Sequence, residues 1–345
     1  MTVIKATLAA ALLIHNRLGG RAPLHGTLPE RLVVILRSRK LAIALLFYLI
    51  AQINTWLDRV YLGYGRRVKD AYHWPQEIAV VTGGSGGLGR RIASGLAAKG
   101  TRVAVLDIAA PEDGAWPSSL ASRIQYYKTD LTDANAIKTV AEEIRSAWGH
   151  PTILVNNAGV ANAGQSLLHA EPSRTKLTLE VNLLASFYTI HEFLPDMVKH
   201  DHGHVVNVAS AASFISGVKA ADYAASKAGL LALNETLRIE LQTIFKAPSV
   251  LTTIVHPGFI RTPMTKELFK SQSDFLEADE VVHAVVSQVH QQRSANLFLP
   301  NAGVRFGATF RAFPTWLQDH LRLQISRGLL KRSRLTVTWP PDEAK

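Results

Sequence analysis

The sequence predicts an α/β protein whose core is a Rossmann-type, doubly wound parallel sheet of seven strands, preceded by an apolar N-terminal membrane-anchor region. Three observations lead to this prediction. Short apolar runs alternate with helical segments from Glu77 to about residue 300, a pattern typical of βαβ units. The first of these runs ends in a glycine-rich turn. A longer, unbroken apolar run lies ahead of it, at 41–51.

The apolar run at the front of the chain is short for a membrane crossing. Extension of the run 41–51 to Leu57 admits three polar residues, whereas a spanning helix needs about 20 predominantly apolar residues. Basic residues flank it on both sides, so charge gives no orientation. A weaker apolar run occupies 6–14. We interpret the region as a monotopic or hairpin anchor. A helix buried against the rest of the protein and a cleaved secretory signal over 1–22 are the alternatives.

The charge distribution and the lack of cysteine indicate which chemistry and which binding partners to expect. The chain lacks cysteine, which excludes disulfides and thiolate chemistry and suits a reducing compartment. Residues 1–70 have 11 Lys and Arg against 3 Asp and Glu, residues 301–345 have 8 against 3, and the centre has 19 against 21. A nucleic-acid enzyme would be basic across its working domain. Apolar, basic flanks instead predict a membrane or lipid-monolayer partner and no nucleic acid, with DNA binding through the basic ends as the alternative.

The glycine-rich turn predicts a dinucleotide site. Five of the seven residues from Gly83 to Gly89 are glycines, after a buried strand and before a helix. Backbone N–H groups and the helix N-terminus face such a turn and stabilise a pyrophosphate there. A turn that only joins strand to helix does not explain so many glycines.

Asp107 closes the second predicted strand, 18 residues after Gly89. A carboxylate at this place accepts hydrogen bonds from the ribose hydroxyls of NAD and repels the 2′-phosphate of NADP. We therefore predict NAD as the cofactor. NADP is the alternative, because Arg90 and Arg91 adjoin the turn.

The remaining elements follow at regular intervals. Seven strands are predicted at Ile78–Val81, Arg102–Leu106, Ile124–Lys128, Ile153–Asn156, His204–Val208, Leu251–His256 and Asn296–Leu299. The main helices between them are predicted at Arg91–Lys99, Ala134–Trp148, Leu179–His200, Tyr223–Thr243 and Ala278–Gln291. This gives an anchor region over 1–73, an NAD(P)-binding catalytic domain over 74–305 and a basic, amphipathic tail over 306–345.

Three polar residues form a candidate catalytic group. Tyr223 and Lys227 stand four apart on a predicted helix, so they share one face, and Ser210 ends the apolar run before them. A phenol with a pKa near 10 is a poor acid or base at neutral pH, and a neighbouring ammonium favours its ionised form. The spacing alone is a weak signal.

Taken together, these residues resemble the short-chain dehydrogenase/reductase family, over roughly residues 75–300. The family motifs occur in order as Thr82-Gly83-x-x-x-Gly87-x-Gly89, Asp130, Asn156-Asn157-Ala158-Gly159, Asn182, Ser210, Tyr223-x-x-x-Lys227 and Pro257-Gly258. The apolar front and the basic tail are similar to the membrane-attached branch that contains retinol and hydroxysteroid dehydrogenases.

The resemblance implies a role for each matching residue. Tyr223 is the general base in oxidation and the general acid in reduction, and Ser210 hydrogen-bonds the substrate oxygen. Lys227 favours the tyrosinate and holds the nicotinamide ribose. Asn182 binds a water that relays protons to the lysine; a solvated helical asparagine is the alternative. The cofactor-binding residues implied are Gly83, Ser85, Gly87, Leu88, Gly89, Asp107, Asp130, Leu131, Asn157, Ala158, Tyr223, Lys227, Ile260 and Thr262.

Three histidines, His200, His202 and His204, alternate along the chain before the fifth strand. Alternation would place them on one side of an extended segment, as metal ligands are placed. No nearby carboxylate pair or cysteine completes such a site, so we interpret them as solvated loop residues and predict no metal.

We expect a lipophilic alcohol or ketone as substrate. The pocket should be bounded by Val160–Lys176, the loop Pro263–Ala278 and the tail. Its candidate apolar mouth residues are Phe269, Phe275, Phe306, Phe310, Phe313 and Trp316, and a place in the core is the alternative for these aromatic side chains.

The expected localisation is the endoplasmic reticulum or a lipid droplet, with the catalytic domain facing the cytosol. The resemblance implies a homodimer. The alternative function is a catalytically idle membrane or lipid-droplet interaction protein on the same fold.

Overall fold

The computed structural model describes residues 39–64, 71–161 and 165–333. The chain separates into two compact units, Met1–Gly65 and Arg66–Lys345. The interpretations of 6–14 and 1–22 lie outside the described residues.

The described part of the first unit is a helix, α1 (Arg39–Arg59), followed by a π-helical turn at Val60–Tyr64. Seven of its apolar side chains are about half exposed: Ile43, Leu46, Leu49, Ile50, Ile53, Trp56 and Leu57. Among the residues described, no helix combines the length and apolar character that a membrane crossing requires.

The second unit contains the predicted sheet. Its seven strands are β1 (Ile78–Thr82), β2 (Arg102–Asp107), β3 (Ile124–Lys128), β4 (Ile153–Asn156), β5 (Gly203–Val208), β6 (Val250–Pro257) and β7 (Ala295–Leu299). All neighbouring strands are parallel, in the order β3-β2-β1-β4-β5-β6-β7. The doubly wound seven-stranded sheet is confirmed, and each strand lies within a residue or two of its predicted bounds.

Helices connect the strands, and two more follow β7. They are α2 (Gly87–Ala97), α3 (Ser118–Ala121), α4 (Ala134–Trp148), α5 (Pro172–Leu179), α6 (Ala185–His200), α7 (Ala221–Thr243), α8 (Pro263–Leu268), α9 (Ala278–His290), α10 (Asn301–Thr309) and α11 (Thr315–Arg332). Single 3₁₀ turns lie at Ala211–Ser213 and Phe310–Ala312, and a π-helical turn at Glu180–Leu184 joins α5 to α6. The predicted helix after the glycine turn begins four residues earlier than expected, so two glycines lie in its first turn.

Two apolar layers sandwich the sheet. On one face, Val81 and Val105 of the strands pack with Leu96 of α2 and Val285 of α9. On the other, Leu106 of β2 packs in a cluster that contains residues of α4, α6 and α7. The central strands β1, β5 and β6 are buried throughout, as expected for a parallel sheet covered on both sides.

Candidate active site

A cavity of about 870 Å³ opens at the carboxyl ends of the strands. Beside β1 the strand order reverses, because β2 lies on one side of it and β4 on the other. Open α/β sheets bind their ligands in the crevice at such a switch point. Most predicted cofactor-binding residues line this cavity: Gly83, Gly87, Leu88, Gly89, Asp107, Asp130, Leu131, Asn157, Ala158, Tyr223, Lys227, Ile260 and Thr262. Two other predicted site residues, Ser85 and Asn182, are buried and lie outside the lining.

Four of the five glycines of the turn fall into two groups. A Cβ at Gly89 would lie 2.2 Å from the Gly83 carbonyl oxygen, and one at Gly83 would lie 2.8 Å from Cα of Ala158. Gly83 also has φ +63°, a conformation that side chains disfavour. By contrast, a Cβ at Gly86 or Gly87 would meet nothing within 4 Å. Gly83 and Gly89 thus allow close contact between backbone segments, whereas Gly86 and Gly87 leave space beside the loop for a ligand.

A polar network fixes the turn to the end of β4. The Asn157 side-chain amide donates to the carbonyl oxygens of Thr82 and Gly83, at 3.0 and 3.2 Å. The Thr82 hydroxyl in turn accepts from the backbone N–H groups of Asn157 and Ala158, at 3.0 and 3.1 Å. The structure thus places Asn157 as a brace for the glycine turn.

Asp107 stands at the end of β2, beside the turn. Its carboxylate accepts from the Ser85 N–H at 3.0 Å and from the Ala109 N–H at 3.1 Å. The Ser85 hydroxyl is buried and has no hydrogen-bond partner among the described residues. Asp130 accepts from the backbone and hydroxyl of Thr132 and remains exposed at the cavity edge.

These features fit a dinucleotide. The open backbone at Gly86 and Gly87 leads into α2, whose N-terminus favours a phosphate, and Asp107 is placed for a ribose. Ser85 contributes through its backbone N–H, which binds Asp107, because its buried hydroxyl lies outside the cavity lining.

Ser210, Tyr223 and Lys227 meet on the cavity wall. Ser210 follows β5 and caps the 3₁₀ turn, with its oxygen accepting from the Ala212 N–H. Tyr223 and Lys227 lie one turn apart in α7, with Nζ of Lys227 5.8 Å from the tyrosine ring centroid. The buried ammonium donates to the Val208 carbonyl oxygen at 2.9 Å.

The pKa values of this group are set mainly by burial. Burial raises the pKa of Tyr223, and a side-chain hydrogen bond with Ser210 lowers it by a smaller amount. Burial lowers the pKa of Lys227 to about 8. The net pKa of Tyr223 is therefore raised, the opposite direction to that expected from the ammonium. The reason is that burial of the phenol has the larger effect.

Asn182 is held by the π-helical turn at Glu180–Leu184. Its side chain accepts from the Val160 N–H at 2.7 Å and donates to the Val160 carbonyl and the Ser226 hydroxyl. It is buried, so the alternative of a solvated helical asparagine is wrong. A Cβ at Gly159 would lie 3.5 Å from Oδ1 of Asn182 and 3.7 Å from Nζ of Lys227. Gly159 therefore keeps open the space between these two polar atoms.

The predicted apolar mouth is largely wrong. Of the six aromatic residues named for it, only Phe269 lines the cavity, together with Phe259, which was not predicted. Phe275 stacks on Phe259 with ring centroids 5.2 Å apart, and Phe310 is a core residue. Aliphatic side chains provide most of the remaining apolar wall: Val160, Leu177, Val181, Ile215, Val218, Leu268, Leu329 and Leu330.

The three histidines have separate partners, and they are not uniformly solvated loop residues. His204 is fully buried in β5 and contacts the Thr253 hydroxyl at 2.8 Å, and burial lowers its pKa to about 3. His202 pairs with the buried carboxylate of Glu77 at 3.2 Å, and His200 contacts the Asp196 carbonyl oxygen. Within the described residues, no group of three potential ligands is placed to hold a metal ion.

Comparison with known proteins agrees with this geometry. The family model for short chain dehydrogenases matches residues 77–273. A dehydrogenase named RED2 from Cochliobolus heterostrophus is 38% identical over 206 residues, which are 60% of this chain and 76% of the relative. Estradiol 17-beta-dehydrogenase 11 of Homo sapiens is 32% identical over 253 residues, 72% of this chain and 83% of the relative.

A solved structure gives the same result. A metagenomic short-chain oxidoreductase in complex with NADP superposes with a TM-score of 0.54 and 28% identity, over 65% of this chain and 96% of that chain. Fold and site together define a Rossmann-type, NAD(P)-dependent oxidoreductase. The chain belongs to the short-chain dehydrogenase family.

Proposed function

We propose that the protein transfers a hydride between NAD(H) and a lipophilic alcohol or ketone of the retinoid, steroid or fatty-alcohol kind, using Ser210, Tyr223, Lys227 and Asn182. The observation that carries this proposal is the position of Ser210 and Tyr223 on one cavity. That cavity is lined at one end by the glycine turn and elsewhere by apolar side chains.

The site residues divide the chemistry as follows. When bound, the nicotinamide accepts or supplies the hydride. Ser210 hydrogen-bonds the substrate oxygen as its charge changes, and Tyr223 exchanges a proton with that oxygen. The raised pKa of Tyr223 keeps the phenol protonated at neutral pH, which suits donation to a ketone oxygen.

Lys227 and Asn182 provide the path by which Tyr223 exchanges its proton with solvent. One acceptor position of the Asn182 amide oxygen remains after its bond from Val160, because a carbonyl oxygen has two lone pairs. A water between this oxygen and Lys227, in the space that Gly159 leaves, joins the ammonium to the Asn182 network. Lys227, whose pKa is lowered to about 8, exchanges protons readily near neutral pH.

NAD is the proposed cofactor in preference to NADP. Asp107 ends β2 beside the glycine turn, where a carboxylate would bind the ribose hydroxyls of NAD and repel a 2′-phosphate. The two arginines near the turn are both engaged with carboxylates: Arg90 with Glu112 at 3.6 Å and Arg91 with Asp279 at 2.6 Å. Either arginine would therefore have to leave an ion pair in order to bind the 2′-phosphate of NADP.

The lipophilic substrate class is supported by the aliphatic wall of the cavity. Ser210 and Tyr223 stand beside this wall, and the other polar side chains near it are Lys219, Thr262, Thr265 and Ser333. One relative is named for estradiol, a lipophilic secondary alcohol. A neutral, largely apolar molecule with a single reacting oxygen fits this distribution.

We propose further that α1 attaches the protein to an anionic lipid surface at the endoplasmic reticulum or a lipid droplet, with the catalytic unit in the cytosol. Exposed side chains such as Leu46, Leu49 and Ile53 would insert between headgroups. Co-sedimentation with neutral and anionic vesicles, with DNA as competitor, tests this. Replacing these three residues by Glu should abolish vesicle binding; unchanged binding overturns the proposal.

A homodimer through α6 and α7 is the proposed assembly. Exposed apolar residues occur on both helices, including Phe187 and Ile239. Light scattering of the solubilised chain reports the subunit number, and a monomer at micromolar concentration contradicts the proposal.

The decisive experiment on catalysis is the change Tyr223→Phe, assayed as NADH formation on a panel of lipid alcohols. Loss of the phenol should reduce kcat by about 10²–10⁴-fold. Tyr188→Phe makes the same chemical change in α6, outside the cavity lining, and should leave kcat unaltered. If the wild-type chain and Tyr223→Phe are equally inert, both in NADH formation on the alcohols and in NADH consumption on the matching ketones, the idle interaction protein is the better account.

A further inference from the structure

The C-terminal helix and the segment after β6 are joined at the substrate part of the cavity. The Lys270 N–H donates to the Arg332 carbonyl oxygen at 3.0 Å, and Phe269 forms an antiparallel bridge with Ser333. We name these four residues, Phe269, Lys270, Arg332 and Ser333, the clasp. The Arg332 guanidinium also contacts the Asp274 carboxylate at 2.8 Å, but that pair is exposed and contributes little.

A second attachment fixes the C-terminal region to the other side of the site. The Arg311 guanidinium donates to the carbonyl oxygens of Ser213 and Phe214, at 3.2 and 3.3 Å. These carbonyls belong to the turn that follows Ser210. The 3₁₀ turn that precedes α11 is therefore attached to the turn after Ser210, and the C-terminal end of α11 is attached to the segment that follows α8.

Between the two attachments, Leu329 and Leu330 line the cavity. Leu329 reaches the opposite wall, because a Cβ at Gly217 would lie 3.2 Å from its Cδ1 atom. Leu268 and Phe269 line the cavity from the α8 side. Three segments far apart in sequence thus meet around one apolar space.

We propose that Leu329 and Leu330, held in place by the clasp, are specificity-determining residues that bind an apolar portion of the substrate. This inference rests on the proposed function. It adds that the enzyme discriminates by the size of the apolar part: long or bulky alcohols gain contact with the two leucines, and short ones do not. In an apolar pocket, one methylene more or less on the substrate changes kcat/KM by about 10- to 200-fold.

The test compares Leu329→Ala and Leu330→Ala with Leu323→Ala in the full, detergent-solubilised chain. Leu323 lies on the same helix, is 55% exposed and is outside the cavity lining, so it controls for effects on the helix alone. The substrates are secondary alcohols from 2-butanol to 2-dodecanol with NAD. At each chain length, kcat/KM of the variant is divided by kcat/KM of the wild type. This ratio cancels the partition of the alcohol into detergent.

For the longest alcohols, we expect the two cavity variants to lose about tenfold in kcat/KM through KM. With 2-butanol they should stay within about twofold of the wild type, as should Leu323→Ala at every length. Equal losses at all lengths, or an equal loss in Leu323→Ala, would overturn the inference while leaving the proposed function intact.

A binding measurement separates the two proposals. The rise in melting temperature on adding 2-dodecanone reports binding without turnover. If the wild-type chain shows a rise that both cavity variants lose but oxidises no alcohol, the leucine assignment stands and the proposed reaction fails. If the rise is equal in all four proteins, the leucine assignment fails.

Discussion

The two parts of the cavity are built on different principles. The cofactor part depends on backbone groups: the Asn157 and Asp107 side chains bind the carbonyls of Thr82 and Gly83 and the N–H of Ser85, and a side chain at Gly83 or Gly89 would clash with backbone atoms. The substrate part is side chain: aliphatic residues from segments as distant as Val160 and Leu330. Backbone geometry tolerates little change, whereas apolar walls can be repacked. One fold can therefore retain a fixed cofactor site while its substrate changes.

The largest effect expected from this comparison is at Gly89. Gly89→Ala would place Cβ 2.2 Å from the Gly83 carbonyl oxygen, a backbone atom that cannot rotate away. We expect a loss of about 3 kcal/mol or more in the free energy of unfolding, because overpacking against backbone forces the loop and α2 apart. Chemical denaturation of the purified variant measures this.

Gly86→Ala is the matched control in the same turn. Its Cβ would meet nothing within 4 Å, and Gly86 has an ordinary extended conformation. Stability should change by less than about 0.5 kcal/mol, while the methyl group, which enters the cavity, raises KM for NAD. Equal destabilisation of both variants would contradict the view that Gly89 is sterically required and Gly86 is not.

Lys227 lies where the two parts meet, and its stability effect depends on pH. Burial lowers its pKa from 10.5 to about 8, so between these values the unfolded chain binds more protons than the folded one. The stability that Lys227 contributes therefore rises as the pH increases from about 8 to 10.5. Below about pH 8 the buried ammonium costs its full amount, about 3 kcal/mol.

Lys227→Met removes this titration. The free energy of unfolding of the wild type, minus that of the variant, should increase by up to about 3 kcal/mol between pH 7 and pH 10.5. Urea unfolding at the two pH values gives both numbers. A difference that does not change with pH would show that the ammonium is hydrated in the folded state.

The features that the sequence predicted are those encoded locally. The glycine turn, Asp107 and the four-residue spacing of Tyr223 and Lys227 each depend on a single strand, turn or helix. The burial of His204 was missed because it depends on the central place of β5 in the sheet, which alternation within one segment does not report. The pKa direction of Tyr223 was missed for a similar reason, since burial is a property of the whole fold.

For the substrate part of the cavity, the sequence predicted the segments that form the wall but not most of the individual residues. Phe269 and Ser333 form a bridge although 64 residues separate them, and no period in the sequence marks either. The aromatic residues chosen for the mouth are mostly used elsewhere, as Phe310 is in the core. Large apolar side chains fill cores more often than ligand sites, so residue type alone could not distinguish the two uses.

Asp107 tests the electrostatic side of the cofactor part. Asp107→Asn keeps one oxygen that can accept from the Ser85 N–H but removes the charge. The ratio of kcat/KM for NAD to that for NADP should fall about 10- to 100-fold, because a charged hydrogen bond to the ribose is lost and repulsion of the 2′-phosphate disappears. Steady-state kinetics with both cofactors measure the ratio. An unchanged ratio would place cofactor discrimination at another residue.

The smallest effect is expected from a volume-conserving change in the substrate wall. Leu268→Met keeps the apolar volume and adds flexibility, so kcat/KM should change less than about threefold and stability by under about 1 kcal/mol. Gly84→Ala is the corresponding mild change in the cofactor part, where the new Cβ would lie 2.8 Å from a methyl of Val105. That methyl belongs to a buried β2 residue with little space to move, so this variant should cost more than Leu268→Met in both stability and NAD affinity. If Leu268→Met costs as much as Gly84→Ala, the substrate wall is as rigid as the glycine turn, and the distinction between a fixed and a variable part of the cavity fails.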